Sequence, residues 1–238
     1  MADPIAILPE GRADSVFLKK LLEFRKLQQF FEIRKPAGID IPNEINCPRC
    51  GNAFQPNKEP AGTGGFAVRL KSIKFLQDSK GIRFKHIVIV ADSDLNHADE
   101  FENVQNKIRE AGGYNVPDRP YVLSAPTTYP SIAVAMLPND GAGCLETVCL
   151  AALNPKYTPK LKCVESFAKC VGADKWGKVM LAKFGVQCLL SSICEKNPYI
   201  PFKHAWTHDP AKSMHADIFR LNHEAFKPIT DFLKSLVQ

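Results

Sequence analysis

Asp92 and Asp94 stand one residue apart, at the end of the stretch His86 to His97, which reads HIVIVADSDLNH. Two carboxylates so close are costly to desolvate unless a cation lies between them. The apolar, β-branched run Ile87 to Val90 ahead of them suits a strand buried on both faces of a parallel sheet. Ligands of open α/β sheets bind at the carboxyl ends of such strands, and Mg²⁺ favours carboxylate oxygens there. The plainer alternative is a turn in which Asp94 or Asn96 caps the next helix. A second apolar run, Pro4 to Pro9, ends in Glu10-Gly11, with Asp14 about one helical turn further on. A third, Ser131 to Leu137, ends in the turn Pro138-Asn139-Asp140-Gly141 and then Glu146. Alone, Glu10 reads as a solvated loop acid, Asp14 as a first-turn acid favoured by the helix dipole, Asp140 as turn chemistry and Glu146 as a surface residue. Acids at three strand ends together predict one divalent-cation site, with Glu10, Asp92 and Asp94 at its centre and Asp14 and Glu146 at its edge.

The elements that must position these acids follow from periodicity. After Gly11 a helix carries Val16, Phe17, Leu21 and Leu22 at helical spacing, and Gln29 to Ile33 is the next strand candidate. Residues 36–65 are dense in Pro, Gly and Asn and read as an insertion or irregular loop. Within it, Cys47-Pro-Arg-Cys50 resembles half of a zinc knuckle. A structural Zn²⁺ needs four ligands, so His86, His97 or a second subunit would have to complete it; otherwise the two cysteines bind nothing. Gly62-Thr-Gly-Gly65 is too short for a phosphate-binding loop. Helices are expected over Phe66 to Gln77, with Phe66, Leu70, Ile73 and Leu76 on one face, over Ala98 to Ala111, and from near Gly143. Tyr121 to Ser124 is a short strand candidate. Beyond residue 154 the pattern is helical, at about 159–171, 174–195 and 222–236. The alternation to residue 154 predicts an α/β core with a parallel sheet. Residues 155–238 are then a helical extension packed on that core.

Bulk composition narrows the class. The chain of 238 residues is 45% hydrophobic and 24% charged, with a net charge of +6, which suits one large globular domain and admits an anionic partner. No apolar run is long enough to span a bilayer, and the opening MADPIAILPEGRAD lacks a signal peptide's basic and apolar regions. The eight cysteines do not form a disulfide-like pattern. The expectation is a reduced, cytoplasmic protein without membrane association. Between Lys156 and Lys183 seven lysines face only Glu165 and Asp174. That stretch is either a phosphate-facing surface or a set of ordinary solvated helix faces. Tyr199, Trp206 and Phe226 are expected to pack the C-terminal part rather than stack on bases.

Taken together, these motifs resemble the topoisomerase–primase (Toprim) domain, with a Glu after one strand and Asp-x-Asp after another. More closely, the chain resembles the Toprim-like family of uncharacterised bacterial proteins related to OLD-family nucleases. Leu8-Pro-Glu-Gly-Arg-Ala-Asp14 matches the EGxxD opening, Ile87 to Asp94 the Asp-x-Asp strand, and Met136 to Glu146 the MPxNxxxGxLE segment. The chain departs at Pro9, usually aliphatic, and at Ser93, commonly Ala. The resemblance implies a Rossmann-like Toprim parallel sheet flanked by helices, with Mg²⁺ or Mn²⁺ on Asp92 and Asp94. It implies Glu10 as a ligand or general acid/base, and a second metal at Asp14 and Glu146. The implied activity is nuclease-like phosphodiester hydrolysis on DNA or RNA. A non-catalytic Toprim-fold module, binding metal or nucleic acid beside a separate ATPase partner, is the alternative, since this chain carries no Walker motif. Either reading admits a homodimer. Haloacid-dehalogenase phosphatases carry their Asp-x-Asp after the first strand, and nucleotide-sugar glycosyltransferases lack an EGxxD opening, so both fit less well.

Overall fold

Strand β1 (Ile5–Pro9) is buried along its whole length, as is β6 (Ser131–Leu137). In β5 (His86–Asp92) only the first and last residues are partly exposed. These are the continuous apolar runs of the sequence, and sheet burial on both faces is what such runs require. They form, with β2 (Phe31–Ile33), a four-stranded sheet in the order β2-β1-β5-β6. Strand β1 runs parallel to both neighbours, with Ile5 opposite Phe31 and Pro9 opposite Val90. The fold is thus Rossmann-like α/β, a parallel sheet flanked by helices. This computed structural model describes residues 3–34, 45–46, 53–54, 62–194, 198–206 and 217–238. Cys47 and Cys50 lie outside the described residues, and the zinc question with them. Of the 36–65 segment, β3 (Ile45–Asn46) and β4 (Ala53–Phe54) form a separate antiparallel pair, and Thr63–Gly65 forms a 3-10 turn.

The chain divides into two compact units. The first holds Met1–Ser15, Leu27–Ala91 and Phe101–Ala135, and so most of the sheet. Its helix α2 (Phe66–Lys80) buries Phe66, Leu70 and Ile73, as the spacing predicts, and ends at Gly81 in the left-handed conformation (φ +66°). Tyr121 to Ser124 is not a strand. Tyr121 and Ser124 donate single N–H bonds to Val134 and Ile132, both 2.8 Å, but Tyr121 has φ +62°. A left-handed residue breaks the pleat, and Pro120 offers no donor.

The second unit holds Val16–Lys26, Asp92–Glu100 and Met136–Gln238. It contains most of α1 (Arg12–Arg25), the start of α3 (His97–Ala111), and α4 (Leu145–Ala151), α5 (Thr158–Cys170), α6 (Lys178–Ile193) and α7 (Lys227–Ser235). Phe17 of α1 is fully buried, with ring centroids 5.5 Å from Trp206 and 5.0 Å from Phe226. Trp206 also meets Phe202 and Phe219. Residues on either side of position 154 are stitched together, since Asn154 N–H donates to Ile218 and Arg220 N–H to Ala152. Trp206 and Phe226 therefore pack as expected. Tyr199 does not: it is 87% exposed, and its neighbour Ile200 takes the buried position. The helix expected over 174–195 is interrupted, because Ala173–Lys175 is a 3-10 turn and Gly177 is extended ahead of α6. Similarly, Glu224–Phe226 is a 3-10 turn leading into α7. Among the described residues no helix is long and apolar enough to cross a membrane.

Candidate functional site

At the end of β5, Ser93 is fully buried between two half-buried acids. Its N–H donates to the Leu137 carbonyl and its Oγ to the Pro138 carbonyl, both at 2.8 Å. A residue of this size fits between the carboxylates because its hydroxyl has a partner in the neighbouring turn. Asp94 follows with φ +40°, a left-handed conformation that Asp tolerates better than most residues, and its carbonyl accepts from Gly143 N–H at 2.8 Å. Gly143 has φ +153°, and a Cβ there would lie 3.0 Å from both Pro138 Cδ and Thr147 Oγ1. Only glycine lets the two turns close on each other. Asn96 caps α3, its Oδ1 accepting from Ala98 N–H at 3.0 Å.

Helix α4 begins at this junction. Cys144 is its N-cap and is fully buried; the next amide, Leu145 N–H, donates to Asp92 Oδ1 at 2.9 Å. Asp92, Cys144 and Glu146 thereby offer ligand atoms within 4.8 Å of one another. Burial pushes the Cys144 thiol up to about 12, with the negative charges of Glu146 and Asp92 adding to it. At neutral pH the group is a protonated thiol.

A cation is also built in. Val179 and Ala182 of α6 share one buried cluster with Cys144, against Leu150. Lys183 follows Ala182, one helical turn beyond Val179, and so lies beside the acids. Desolvation alone would lower its pKa, but the fields of Glu146, Cys144, Asp92 and Asp94 outweigh it and raise the pKa.

Asp92, Asp94 and Glu146 lie in the second unit; Glu10 and Asp14 lie in the first. Asp14 is buried, with Oδ2 accepting from Gly11 N–H at 2.7 Å, the backward reach of a capping residue at the start of α1. Glu10 is half-buried, and its carbonyl accepts from Gly62 N–H. Asp140 is exposed in its turn.

Three residues were not singled out by motif reasoning. Cys144 carries no signal beyond its place before Leu145-Glu146. Lys183 was visible only as one lysine among seven. Arg69 is fully buried in α2, with its guanidinium 4.6 Å over the Phe66 ring and Nη1 donating to the Pro9 carbonyl at 2.5 Å. Its signal was an arginine on the same helical face as Phe66, Leu70 and Ile73.

Fold and site define an α/β protein with an acid–thiol–lysine cluster where β5 meets α4. The chain belongs to the family described as protein of unknown function (DUF3226), whose family model matches residues 4–238. No curated protein and no solved structure matches it.

Proposed function

We propose that this protein carries out Mg²⁺- or Mn²⁺-dependent phosphodiester chemistry on DNA or RNA, as a nuclease-like hydrolase of the cytoplasm. The observation that carries this is the meeting of Asp92, Cys144 and Glu146 ligand atoms within 4.8 Å at the end of a buried parallel strand. Two of these three donors are carboxylates, which suit a hard cation. Thiol sulfur is a soft donor that Mg²⁺ and Mn²⁺ take poorly, so the carboxylate oxygens of Asp92 and Glu146 would hold the cation, with Asp94 next but one to Asp92 in the chain and water completing the shell. When bound, such a cation neutralises phosphate charge and acidifies a bound water. The chain's own residues supply the rest. Leu145 N–H orients the Asp92 carboxylate, the Ser93 bonds hold the turn, and the Lys183 ammonium attracts a phosphate oxygen. The six described free cysteines fit a reducing compartment.

One observation favours a second reading. Lys183 already offsets part of the acids' charge, which helps the site remain folded without metal, as a non-catalytic module working beside a separate partner such as an ATPase would. Incubating the protein with single-stranded DNA, duplex DNA and RNA, with Mg²⁺ or Mn²⁺, separates the two. Cleavage by wild type that is lost in Asp92→Asn and Glu146→Gln supports the nuclease. Absence of cleavage in every combination leaves the module. Glu10→Gln in the same assay tests the role that the Toprim resemblance gives Glu10.

A further inference from the structure

We propose that the exposed aromatic–lysine face of α5, α6 and the turn that joins them binds single-stranded nucleic acid, with bases on Trp176 and Phe167 and phosphates on the neighbouring lysines. The inference rests on the nuclease reading in taking nucleic acid as the ligand, but the surface and its test need no metal. Phe167 and Trp176 are each 49% exposed, and Met180 is 57% exposed. Large apolar side chains grouped at a surface usually mark a contact site. Here Phe167 and Trp176 form one run through Phe184. Phe167 stacks on it at 6.0 Å with 20° between the planes, and Trp176 meets it edge-on at 5.5 Å.

Charge selects the occupant. Lys175 and Lys178 flank Trp176 in the sequence Lys-Trp-Gly-Lys, and Lys169 follows Phe167 by two residues. All three lysines are exposed. From Lys160 to Lys183 six lysines stand against Glu165 and Asp174. Cations interleaved with aromatic rings are what a single strand needs, because it presents bases and phosphates in alternation. Helix α6 also joins this face to the acid cluster. Lys178 starts it and Lys183 lies about 7–8 Å further along its axis, on the side that carries Val179 and faces Cys144.

The test uses the intact protein in EDTA with an oligothymidylate of about 20 nucleotides. The chain has two tryptophans, and Trp206 is only 2% exposed, so base stacking should quench Trp176 alone. Expected are quenching that Trp176→Phe abolishes, an affinity about 5- to 100-fold weaker in Trp176→Ala, and a further loss in Lys175→Glu/Lys178→Glu. Affinity should fall steeply with salt, by about 0.7 in log K per log salt for each phosphate neutralised. Binding in EDTA, with no cleavage of the same strand once Mg²⁺ or Mn²⁺ replaces the chelator, would remove the nuclease reading and keep this one. No binding at about 50 mM salt, or equal binding by the patch variants with melting temperatures unchanged, overturns the proposal. So does self-association that the same variants abolish, because the face would then be an interface between copies of the chain.

Discussion

Leu145 N–H donates to Asp92 Oδ1 at 2.9 Å, so one hydrogen bond ties the acid that ends β5 to the first turn of the helix carrying Glu146. An asparagine oxygen can still accept that bond, more weakly than a carboxylate; an alanine cannot. Asp92→Asn should therefore fold and report chiefly on the loss of charge. Asp92→Ala should lose about 1–3 kcal/mol of stability by stranding the amide. Urea unfolding of the two variants in EDTA measures the difference.

Divalent cations that bind the native state should raise its melting temperature. At a concentration 100 times Kd the gain is about 2.7 kcal/mol. Mg²⁺ and Mn²⁺ should produce this in wild type and produce little of it in Asp92→Asn or Glu146→Gln. A wild-type protein indifferent to both metals would remove the metal site.

The buried Cys144 thiol should resist alkylation at neutral pH while the exposed Cys163 and Cys170 react, since the thiolate is the nucleophile. Its raised pKa also has a sign for stability. The native state keeps a proton that the unfolded chain releases near the ordinary thiol value of 9.0, so stability is full below that pH and falls as pH rises toward about 12. Lys183, also raised, acts in the same direction above the ordinary lysine range. Cys144→Ala should flatten the alkaline fall in melting temperature between pH 9 and 11, and site-resolved mass spectrometry checks the alkylation order.

Gly143→Ala should cost about 1–3 kcal/mol, because φ +153° is hostile to an L side chain and the new Cβ would press on Pro138 and Thr147. Any metal response should weaken with it, since the Gly143–Asp94 backbone bond positions the second acid. Differential scanning calorimetry with and without Mn²⁺ reads both effects. An unaltered melting temperature would contradict the tight turn.

Phe17→Ala should lose about 3–5 kcal/mol, since Phe17 fills the aromatic core that Trp206 and Phe226 complete. Trp206 emission should shift to the red in the folded variant. A loss under about 1 kcal/mol would mean that the ring is not the keystone of that core.

What was legible in the sequence was local. The buried strands and the acids that end them could be read from runs of β-branched residues broken by Asp or Glu, because a run buried on both faces must stop where desolvation becomes too costly. The apolar face of α2 was legible for the same kind of reason. Tyr121 to Ser124 misled because composition does not record a positive φ. The stretch 174–195 misled because its apolar spacing continues across Gly177, where the backbone does not.

By itself, then, the sequence determined the α/β character, the strand ends and the positions of Asp92, Asp94 and Glu146, all set by neighbours a few residues away. Only the tertiary structure decided that Cys144 joins Asp92 and Glu146 as a neutral thiol, and that Lys183 answers their charge. Those relationships depend on α6 packing Val179 and Ala182 onto Cys144. Burial and Coulomb fields follow distance in space, and no spacing along the chain encodes that distance.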